Sequence, residues 1–266
     1  MIAKIRIGLA FAFIAATTTV LALLQVLTLK TGLWRETLMP RLWHRCMVRA
    51  LGIRVHAHGA LAKERPLLVA SNHVSWTDIV VLGSLVDVNF IAKADMEGWP
   101  LIGWLSKLQR TAFVERERRR SSGRQASEIG QRMARGDAMV LFAEGTTGDG
   151  NAMLPFKSTL FGAASMVISE GAGEKVFIQP VAIAYTRLHG VPMGRAHRPH
   201  AAWIGDQDLA PHLVGLLADG AMDVEVHFGE PVAFTAESSR KETAKLIERR
   251  VAEMMQAALA APRPSR

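Results

Sequence analysis

The stretch RPLLVASNHVSWTD, residues 65–78, changes from apolar to polar halfway along its length. Its apolar half predicts a buried strand that ends at Ala70, and Asn72 and His73 follow directly. The same change occurs in DAMVLFAEGTTGDGN, residues 137–151, where an apolar run gives way to acidic, hydroxyl and glycine residues. Because loops held by a rigid scaffold often carry function, both strand ends are candidate sites.

Short apolar runs alternate with helical patterns from about Gly52 onward. Further strands are predicted at NFIAKA (89–94), RTAFVER (110–116), KVFIQPVAIAY (175–185) and DVEVHFGEPV (223–232), the last as an outer strand. Helices are predicted at WPLIGWLSKL (99–108), SSGRQASEIGQRMARG (121–136, capped by Ser121 or Ser122 and stopped by Gly136), STLFGAASMVISEG (158–171) and SSRKETAKLIERRVAEMMQAALA (238–260). The alternation predicts an α/β fold, with a mostly parallel sheet flanked by helices and active groups in loops beyond the strand ends.

The N-terminal region carries an uncharged run, IGLAFAFIAATTTVLALLQVLTL, between Arg6 and Lys30. At about 1.5 Å per residue, a helix of this length crosses a hydrocarbon core of about 30 Å. The run is longer than the core of a usual signal peptide and no clear A-x-A site follows it, which favours an uncleaved membrane anchor over a cleaved signal. Basic residues at both ends also suit a helix, or a helix pair with an amphipathic partner from Thr37 to Leu51, lying in one leaflet. We therefore predict a membrane-anchoring segment (1–51), an α/β domain (52–260) and a disordered tail (261–266).

Composition narrows the classes of partner. The chain of 266 residues has a formal net charge of +8, which favours anionic partners such as a lipid surface or a phosphorylated substrate. A nucleic-acid binder is disfavoured, because no binding motif occurs and the chain has one tyrosine. The single cysteine, Cys46, excludes an internal disulfide and a multi-cysteine zinc site. Nine histidines are present, including His56, His58, His197 and His200, but no sequence spacing joins them to acidic ligands, so no metal site is predicted.

Three polar clusters follow the strands. Asp78 comes five residues after His73 and can fold back to one imidazole nitrogen, leaving the other as a general base. Arg116 lies at the end of the predicted strand RTAFVER, where a guanidinium suits a phosphate or carboxylate. Glu144, Thr146 and Thr147 offer an acceptor and two hydroxyls around Gly145, and Lys157 adds a positive charge. Each cluster alone also fits a structural role: a capping loop, a solvated basic run and a turn.

In sequence order, however, the clusters form a set: His-x-x-x-x-Asp at 73–78, Phe-Val-x-Arg at 113–116, Glu-Gly-Thr at 144–146, and Pro180 inside an apolar strand. This set resembles the glycerolipid acyltransferase family, which includes the 1-acylglycerol-3-phosphate acyltransferases, and the resemblance covers residues from Pro66 to Tyr185. It implies an α/β fold in which His73 is the general base and Asp78 orients it. The acceptor hydroxyl attacks a thioester carbonyl without an acyl-enzyme, which agrees with the lack of a G-x-S-x-G motif. The substrate-binding residues would be Asn72, Arg116, Glu144, Gly145, Thr146, Thr147, Asp149 and Lys157.

The third block departs from the family pattern Phe-Pro-Glu-Gly-Thr-Arg. Ala143 replaces the proline and Thr147 replaces the arginine, which removes a charge-assisted contact to an acceptor phosphate of about 1.5–3 kcal/mol. The version EGTTGDG resembles the branch that acylates lyso-ornithine lipids. Such an acceptor has one carboxylate, which Arg116 could bind, and one amine, which Asp149 or Glu144 could bind. The alternative is a 1-acylglycerol-3-phosphate O-acyltransferase that makes phosphatidic acid.

The resemblance also implies the partners. The acceptor would be a membrane lipid and the donor an acyl group on acyl carrier protein or coenzyme A, with no other cofactor. Both carriers are anionic, as is the expected membrane surface, which agrees with the basic charge of the chain. We expect the protein at the inner (cytoplasmic) membrane, with its active site facing the cytoplasm and no nucleic-acid partner.

Overall fold

The computed structural model describes residues 2–114, 119–169, 171, 173–205 and 207–260, excluding the side chains of residues 2, 3 and 119–126. Arg116 and the expected tail, 261–266, lie outside the described residues. The division into an anchoring segment and an α/β domain stays a prediction.

Two helices open the chain. Helix α1, Ile2–Thr31, is long and apolar enough to cross a membrane, and α2, Leu38–Ala50, packs against it. Helix α2 is amphipathic, because Met47 and Val48 are buried whereas Arg45 and Arg49 are exposed. Leu38 and Leu42, expected on the same apolar face as Met47, are exposed. The pair therefore shows one face to the protein and one apolar face to its surroundings.

The rest of the described chain is built around one mixed sheet. Its strands are β1 Ile53–His58, β2 Leu67–Ser71, β3 Asn89–Lys93, β4 Ala112–Val114, β5 Ala138–Phe142, β6 Lys175–Leu188, β7 Val191–Pro192, β8 Met222–Phe228 and β9 Val232–Thr235. The order is β1-β8-β6-β2-β5-β3-β4, with β7 and β9 paired to β6. Strands β6, β2, β5, β3 and β4 run parallel in that order, β1 runs parallel to β8, and β6 is antiparallel to β7, β8 and β9.

Helices cover both faces of the sheet, as the alternating pattern predicts. They are α3 Thr77–Leu85, α4 Ile102–Leu108, α5 Arg119–Ala134, α6 Gly162–Ser169, α7 Leu209–Asp219 and α8 Arg240–Ala260. The strand β2 shows why the central strands are apolar throughout: Leu67 and Val69 pack with α2, α3 and α7, whereas Leu68 and Ala70 pack with α5, α6 and α8. The predicted fold class is confirmed.

Several details differ from the sequence prediction. The segment 223–232 is not one outer strand, because β8 lies between β1 and β6 and a separate strand, β9, follows it. The outer strand on that side of the sheet is β1, for whose sequence, IRVHAH, no strand was predicted. Helix α7 was not predicted either. Ser121 and Ser122 lie inside α5 and do not cap it. Gly136, with φ of +101°, follows the end of the helix, as expected for a residue that terminates it. The predicted helix 158–171 is a 3-10 turn, Ser158–Phe161, followed by the short α6.

Candidate active site

The site forms where two neighbouring parallel strands end. Ser71, the last residue of β2, is in register with Phe142, the last residue of β5, so the loops that follow them begin side by side. Backbone hydrogen bonds then join the loops: Ala143 N donates to Ser71 O (3.0 Å), and Gly148 N donates to His73 O (2.8 Å). The sheet thereby brings together the two polar clusters that are about 70 residues apart in sequence.

His73 and Asp78 form the expected pair. Nδ1 of His73 lies 2.8 Å from Oδ2 of Asp78, and the imidazole stacks on the ring of Phe142 with 3.9 Å between centroids. The carboxylate is fully buried, whereas the His73 side chain keeps a 17% exposed fraction. Since a carboxylate accepts the Nδ1 proton, Nε2 carries the lone pair and is the nitrogen that can take a proton from a substrate.

Asp78 is itself held by three further donors. Oδ2 accepts hydrogen bonds from the backbone N–H groups of Val74 (2.6 Å) and Ser75 (2.9 Å), which closes the turn before α3. Oδ1 accepts the hydroxyl proton of Tyr185 at 2.7 Å. A buried charge needs such partners, and these fix the carboxylate in one orientation toward His73.

Tyr185, on β6, is a site residue that the sequence reasoning missed. Its hydroxyl also lies 2.5 Å from the hydroxyl of Thr77. Burial, together with the charge of Asp78, raises the pKa of Tyr185 well above its ordinary value, so the phenol keeps its proton and remains a donor. The only available signal was that the single tyrosine of the chain ends an apolar strand.

Asn72 contacts the neighbouring strand. Its amide nitrogen donates to Ile183 O (2.9 Å) and its amide oxygen accepts from Ile183 N (2.8 Å), so the side chain continues the ladder between β2 and β6. Asn72 is almost fully buried. These contacts give it a positioning role next to His73, while the predicted contact with substrate stays a prediction.

Glu144 joins the two loops. Oε1 accepts the backbone N–H of His73 (2.8 Å) and Oε2 accepts that of Leu154 (2.9 Å). Burial raises the pKa of Glu144 to about 7, although these two hydrogen bonds act in the opposite direction. The carboxylate is thus engaged with the protein backbone and almost fully buried, which favours loop positioning over direct binding of a substrate amine.

The rest of the EGTTGDG loop lies nearer the surface. Gly145, with φ of +75°, turns the chain after Glu144, and Thr146 is exposed. Thr147 donates its hydroxyl to the carbonyl of Trp203, whose own N–H donates to Val74 O at 2.9 Å. The segment around Trp203 is therefore a third wall of the site.

Asp149 and Lys157 lie farther along this loop. Both oxygens of Asp149 accept hydrogen bonds from Asn151, at 2.9 Å from the backbone N–H and 3.0 Å from the amide, and these lower its pKa. Arg198, which the sequence reasoning did not select, donates to Asn151 Oδ1 at 3.2 Å and so brings a cation to the loop. The side chain of Lys157 is exposed, while its backbone N–H donates to Ala143 O.

An apolar cavity of about 150 Å³ lies beside the loop that carries His73. Its walls come from α1 to α4, and two of its residues, Trp76 and Trp203, also belong to the loops around His73. Burial lowers the pKa of His44, in the same wall, to about 3, so this imidazole is uncharged at physiological pH. A cavity of similar volume takes up an apolar molecule as large as benzene, so this one has room for part of an acyl chain.

Several known proteins similar to this chain are acyltransferases. A family model described as "Acyltransferase" matches residues 52–184. The lyso-ornithine lipid O-acyltransferase of Brucella abortus (strain 2308) is 51% identical over 97% of this chain and 97% of the relative. That of Rhizobium meliloti (strain 1021) is 47% identical over 96% of this chain and 87% of the relative. The chain belongs to the acyltransferase family, and it is an enzyme that transfers acyl groups.

A solved structure supports the fold. The 1-acyl-sn-glycerophosphate (LPA) acyltransferase PlsC from Thermotoga maritima superposes with a TM-score of 0.63 at 23% identity, covering 98% of this chain and 100% of that one. The likeness extends over the N-terminal helices as well as the sheet. Together with the apolar helix α1, the lipid-acylating relatives indicate that this protein associates with membranes.

Proposed function

We propose that this protein moves a fatty acyl group from a carrier thioester to the free hydroxyl of a lysolipid, and that the acceptor is lyso-ornithine lipid, giving ornithine lipid. The observation that carries the reaction is the buried chain from Tyr185 through Asp78 to His73, which leaves Nε2 as a base at the edge of the sheet. The acceptor rests on the near full-length similarity to two lyso-ornithine lipid O-acyltransferases and on Thr147.

The reaction needs one base that later acts as an acid. His73 Nε2 accepts the proton of the acceptor hydroxyl while the hydroxyl oxygen attacks the thioester carbonyl. The tetrahedral intermediate then collapses, the C–S bond breaks, and the imidazolium returns its proton to the departing thiolate. The products are an ester and a free thiol, so protons and electrons balance. Asp78 stabilises the imidazolium during the step and does not itself need to take the proton.

Replacing His73 by alanine tests this mechanism. Without the base, acyl transfer in membranes should collapse, while folding and membrane association persist. General-base catalysis contributes typically 10²–10⁴-fold, so a loss of about that size is expected. An active His73→Ala protein would remove His73 from the reaction.

The headgroup of the acceptor would meet the loop after β5. Arg116 is the proposed partner of its carboxylate, and Asp149, which is held as an anion by Asn151, is the proposed partner of its amine. Glu144 is the weaker choice for the amine, because both of its oxygens already accept backbone N–H groups. An Asp149→Ala variant should raise the apparent KM for lyso-ornithine lipid; an unchanged value would reject the assignment.

The alternative acceptor is 1-acylglycerol-3-phosphate. A 1-acyl-sn-glycerol-3-phosphate acyltransferase of Neisseria gonorrhoeae is 35% identical over 55% of this chain, and this similarity is the reason to test that acceptor. Membranes containing this protein are supplied with labelled acyl carrier protein thioester, and each acceptor is offered in a separate tube. A preference for the phosphate acceptor would overturn the ornithine assignment and leave the proposed chemistry intact.

The donor side of the proposal is an acyl group on acyl carrier protein or coenzyme A, with no other cofactor. The net charge of +8 favours either anionic carrier. We propose that the cavity beside Trp76 receives the end of an acyl chain, because its lining is mostly apolar and it adjoins the loop that holds His73.

The membrane side of the proposal is that α1 lies in one leaflet of the inner membrane, with the active site facing the cytoplasm. Arg6, near the start of α1, donates to the carbonyl of Leu217 on α7 at 3.2 Å, and Gln25, near its end, donates to Leu108 O at 2.9 Å. The nineteen helical residues that lead from Arg6 to Gln25 span about 28 Å, which is close to the full thickness of the hydrocarbon core of a bilayer. A spanning helix could not keep both of these ends against a domain that stays on one side of the bilayer.

A further inference from the structure

The edge of the sheet farthest from β4 carries a polar ladder. Strands β1 and β8 are parallel and in register, with His56 opposite Glu225 and His58 opposite His227. Because side chains alternate along a strand, these four residues lie on the same face of the sheet. The ladder lies outside the catalytic machinery described above.

Three of these side chains converge on one point. Nε2 of His58 lies 2.6 Å from Oε2 of Glu225, and the imidazoles of His58 and His227 stack with 4.3 Å between their centroids. One donor atom from each of the three residues lies within 4.8 Å of the other two. The guanidinium of Arg187 approaches the second carboxylate oxygen of Glu225 at 3.9 Å, which helps to hold that carboxylate in place.

We propose that His58, Glu225 and His227 bind a divalent transition-metal ion, with zinc the best match. Two imidazoles and one carboxylate form a ligand set that zinc accepts, with bonds of about 2.0–2.2 Å. Magnesium and calcium do not suit the site, because they take oxygen ligands. A solvent molecule would complete four-coordination, since His58 is half exposed and leaves one side of the cluster open.

Binding requires a small rearrangement that the site permits. A metal ion lies in the plane of each imidazole that binds it, so two nearly parallel rings cannot both bind it without a turn of one ring. The side chain of His58 is 51% exposed and can turn, whereas that of Glu225 is 14% exposed and stays fixed. Donor atoms around a tetrahedral zinc lie roughly 3.3 Å apart, so His58 and Glu225 would also separate slightly.

The position of the cluster indicates its role. Strands β1 and β8 are parallel to each other, β8 is antiparallel to β6, and β6 is parallel to β2. The carboxyl ends of β1 and β8 therefore lie at the opposite end of the strands from the end of β2 that precedes His73. The metal would therefore take no part in acyl transfer. It would join the outer strand β1, which directly follows α2, to the body of the sheet.

Metal binding is tested on the 266-residue chain without a histidine tag, in detergent micelles. The protein is first treated with a chelator, and the chelator is then removed. Zn²⁺ alone is titrated by calorimetry, and the visible spectrum of a Co²⁺ complex reports the coordination. We expect one ion per chain, a higher thermal midpoint with the ion than without it, and unchanged acyl transfer. If the wild-type protein does not bind Zn²⁺ at one ion per chain, the proposal is overturned, whatever the acyltransferase assays show.

Matched variants locate the ion. His58→Asn and His227→Asn should each weaken binding at least about tenfold and abolish the thermal shift. The control is His200→Asn, because His200 forms a similar pair with Asp219, at 2.6 Å, at another place on the surface. If both His58→Asn and His227→Asn kept the wild-type affinity for Zn²⁺, or if His200→Asn lost as much affinity as they do, the proposed site would be wrong. His58 is half exposed, so its variant is expected to fold even if that of His227 does not.

Discussion

Asp78 has no exposed surface, yet it accepts hydrogen bonds from four donors: the His73 ring, two backbone N–H groups and the phenol of Tyr185. An unpaired buried carboxylate would lose its charge or destabilise the fold. These donors occupy both carboxylate oxygens of Asp78 and fix the carboxylate beside the imidazole that, in the proposed mechanism, becomes positive during the reaction. Tyr185 is the one of the four that a single substitution can remove without changing the shape of the site.

Tyr185→Phe should therefore lower kcat and leave KM unchanged. Removing the hydroxyl takes away a hydrogen bond to a charged group, about 1.5–3 kcal/mol, which corresponds to a loss of tenfold or more. Tyr185 is almost fully buried, so it acts through Asp78 and not through substrate. Steady-state kinetics in mixed micelles measure the effect. Thr77→Val is the control, because it removes a neighbour of the phenol and leaves all donors to Asp78; an equal loss in both variants would point to packing alone.

Glu144 makes a prediction about pH. Because burial raises its pKa from an ordinary value of 4.5 to about 7, the folded protein binds this proton more tightly than the unfolded chain does. The group's contribution to the free energy of unfolding is complete below pH 4.5 and is lost as the pH rises to about 7. Glu144→Gln removes this titration. The stability of the wild type relative to the variant should fall by on the order of 3 kcal/mol between pH 5 and 8, measured by urea unfolding. Parallel pH curves would contradict the assignment.

These residues also mark how far the sequence alone can go. The His73–Asp78 contact was predictable, because five residues of chain can close only a small loop and the chemistry of the two side chains is complementary. The Tyr185 contact joins residues 107 apart, and only the pairing of β2 with β6 brings them together. The positioning role of Glu144 was hidden for a related reason, since its partners are backbone groups that sequence does not distinguish.

At the scale of elements, the site depends on where strands end. The two apolar runs that end in polar residues predicted active groups in loops beyond strand ends, and the structure adds that β2 and β5 are neighbours in register, so their loops meet. The neighbours of β8 could not be inferred in the same way. The alternation of polar and apolar residues in β8 indicates that one face of the strand is polar. An outer strand and an inner strand such as β8, which lies between β1 and β6, can both have this pattern. The same limit hid the histidine and glutamate cluster, whose members lie 167 residues apart.

The cavity between α1 and the loop that carries His73 should set the length of acyl chain that the enzyme accepts. Ala22 on α1 is buried in the cavity wall, so Ala22→Leu adds three carbon atoms to a space of about 150 Å³. We expect the variant to prefer shorter acyl chains, with the rate on long chains reduced about tenfold, because a clash of one or two methylenes costs 1–3 kcal/mol. A series of acyl carrier protein thioesters measures this. Ala15→Leu, on an exposed part of α1, should leave the preference unchanged; an identical shift in both would contradict the cavity's role.

At the scale of the whole molecule, exposed apolar side chains occur on the N-terminal helices and on the α/β domain. Large apolar side chains are exposed along α1 and in α2, and others continue onto the domain at Trp99, Leu101 and Trp104. An exposed apolar area shared by two regions of a protein marks a common partner, and a lipid leaflet fits it. In the proposed leaflet arrangement, the bilayer would meet the protein on the side where the cavity lies, and a lipid acceptor would reach His73 without leaving the membrane completely.

The leaflet arrangement predicts that both ends of α1 face the same compartment. Lys4→Cys and Lys30→Cys, each in a Cys46→Ser background, put single thiols at exposed positions near the two ends. With the helix in one leaflet, a membrane-impermeant thiol reagent should label both variants in inverted inner-membrane vesicles and neither in intact spheroplasts. Arg249→Cys, on the exposed face of α8, reports the side on which the domain lies and should follow the same pattern. If one end were labelled only from the opposite side, α1 would cross the bilayer, and the contacts of Arg6 and Gln25 with the domain could not both exist in the membrane-bound protein.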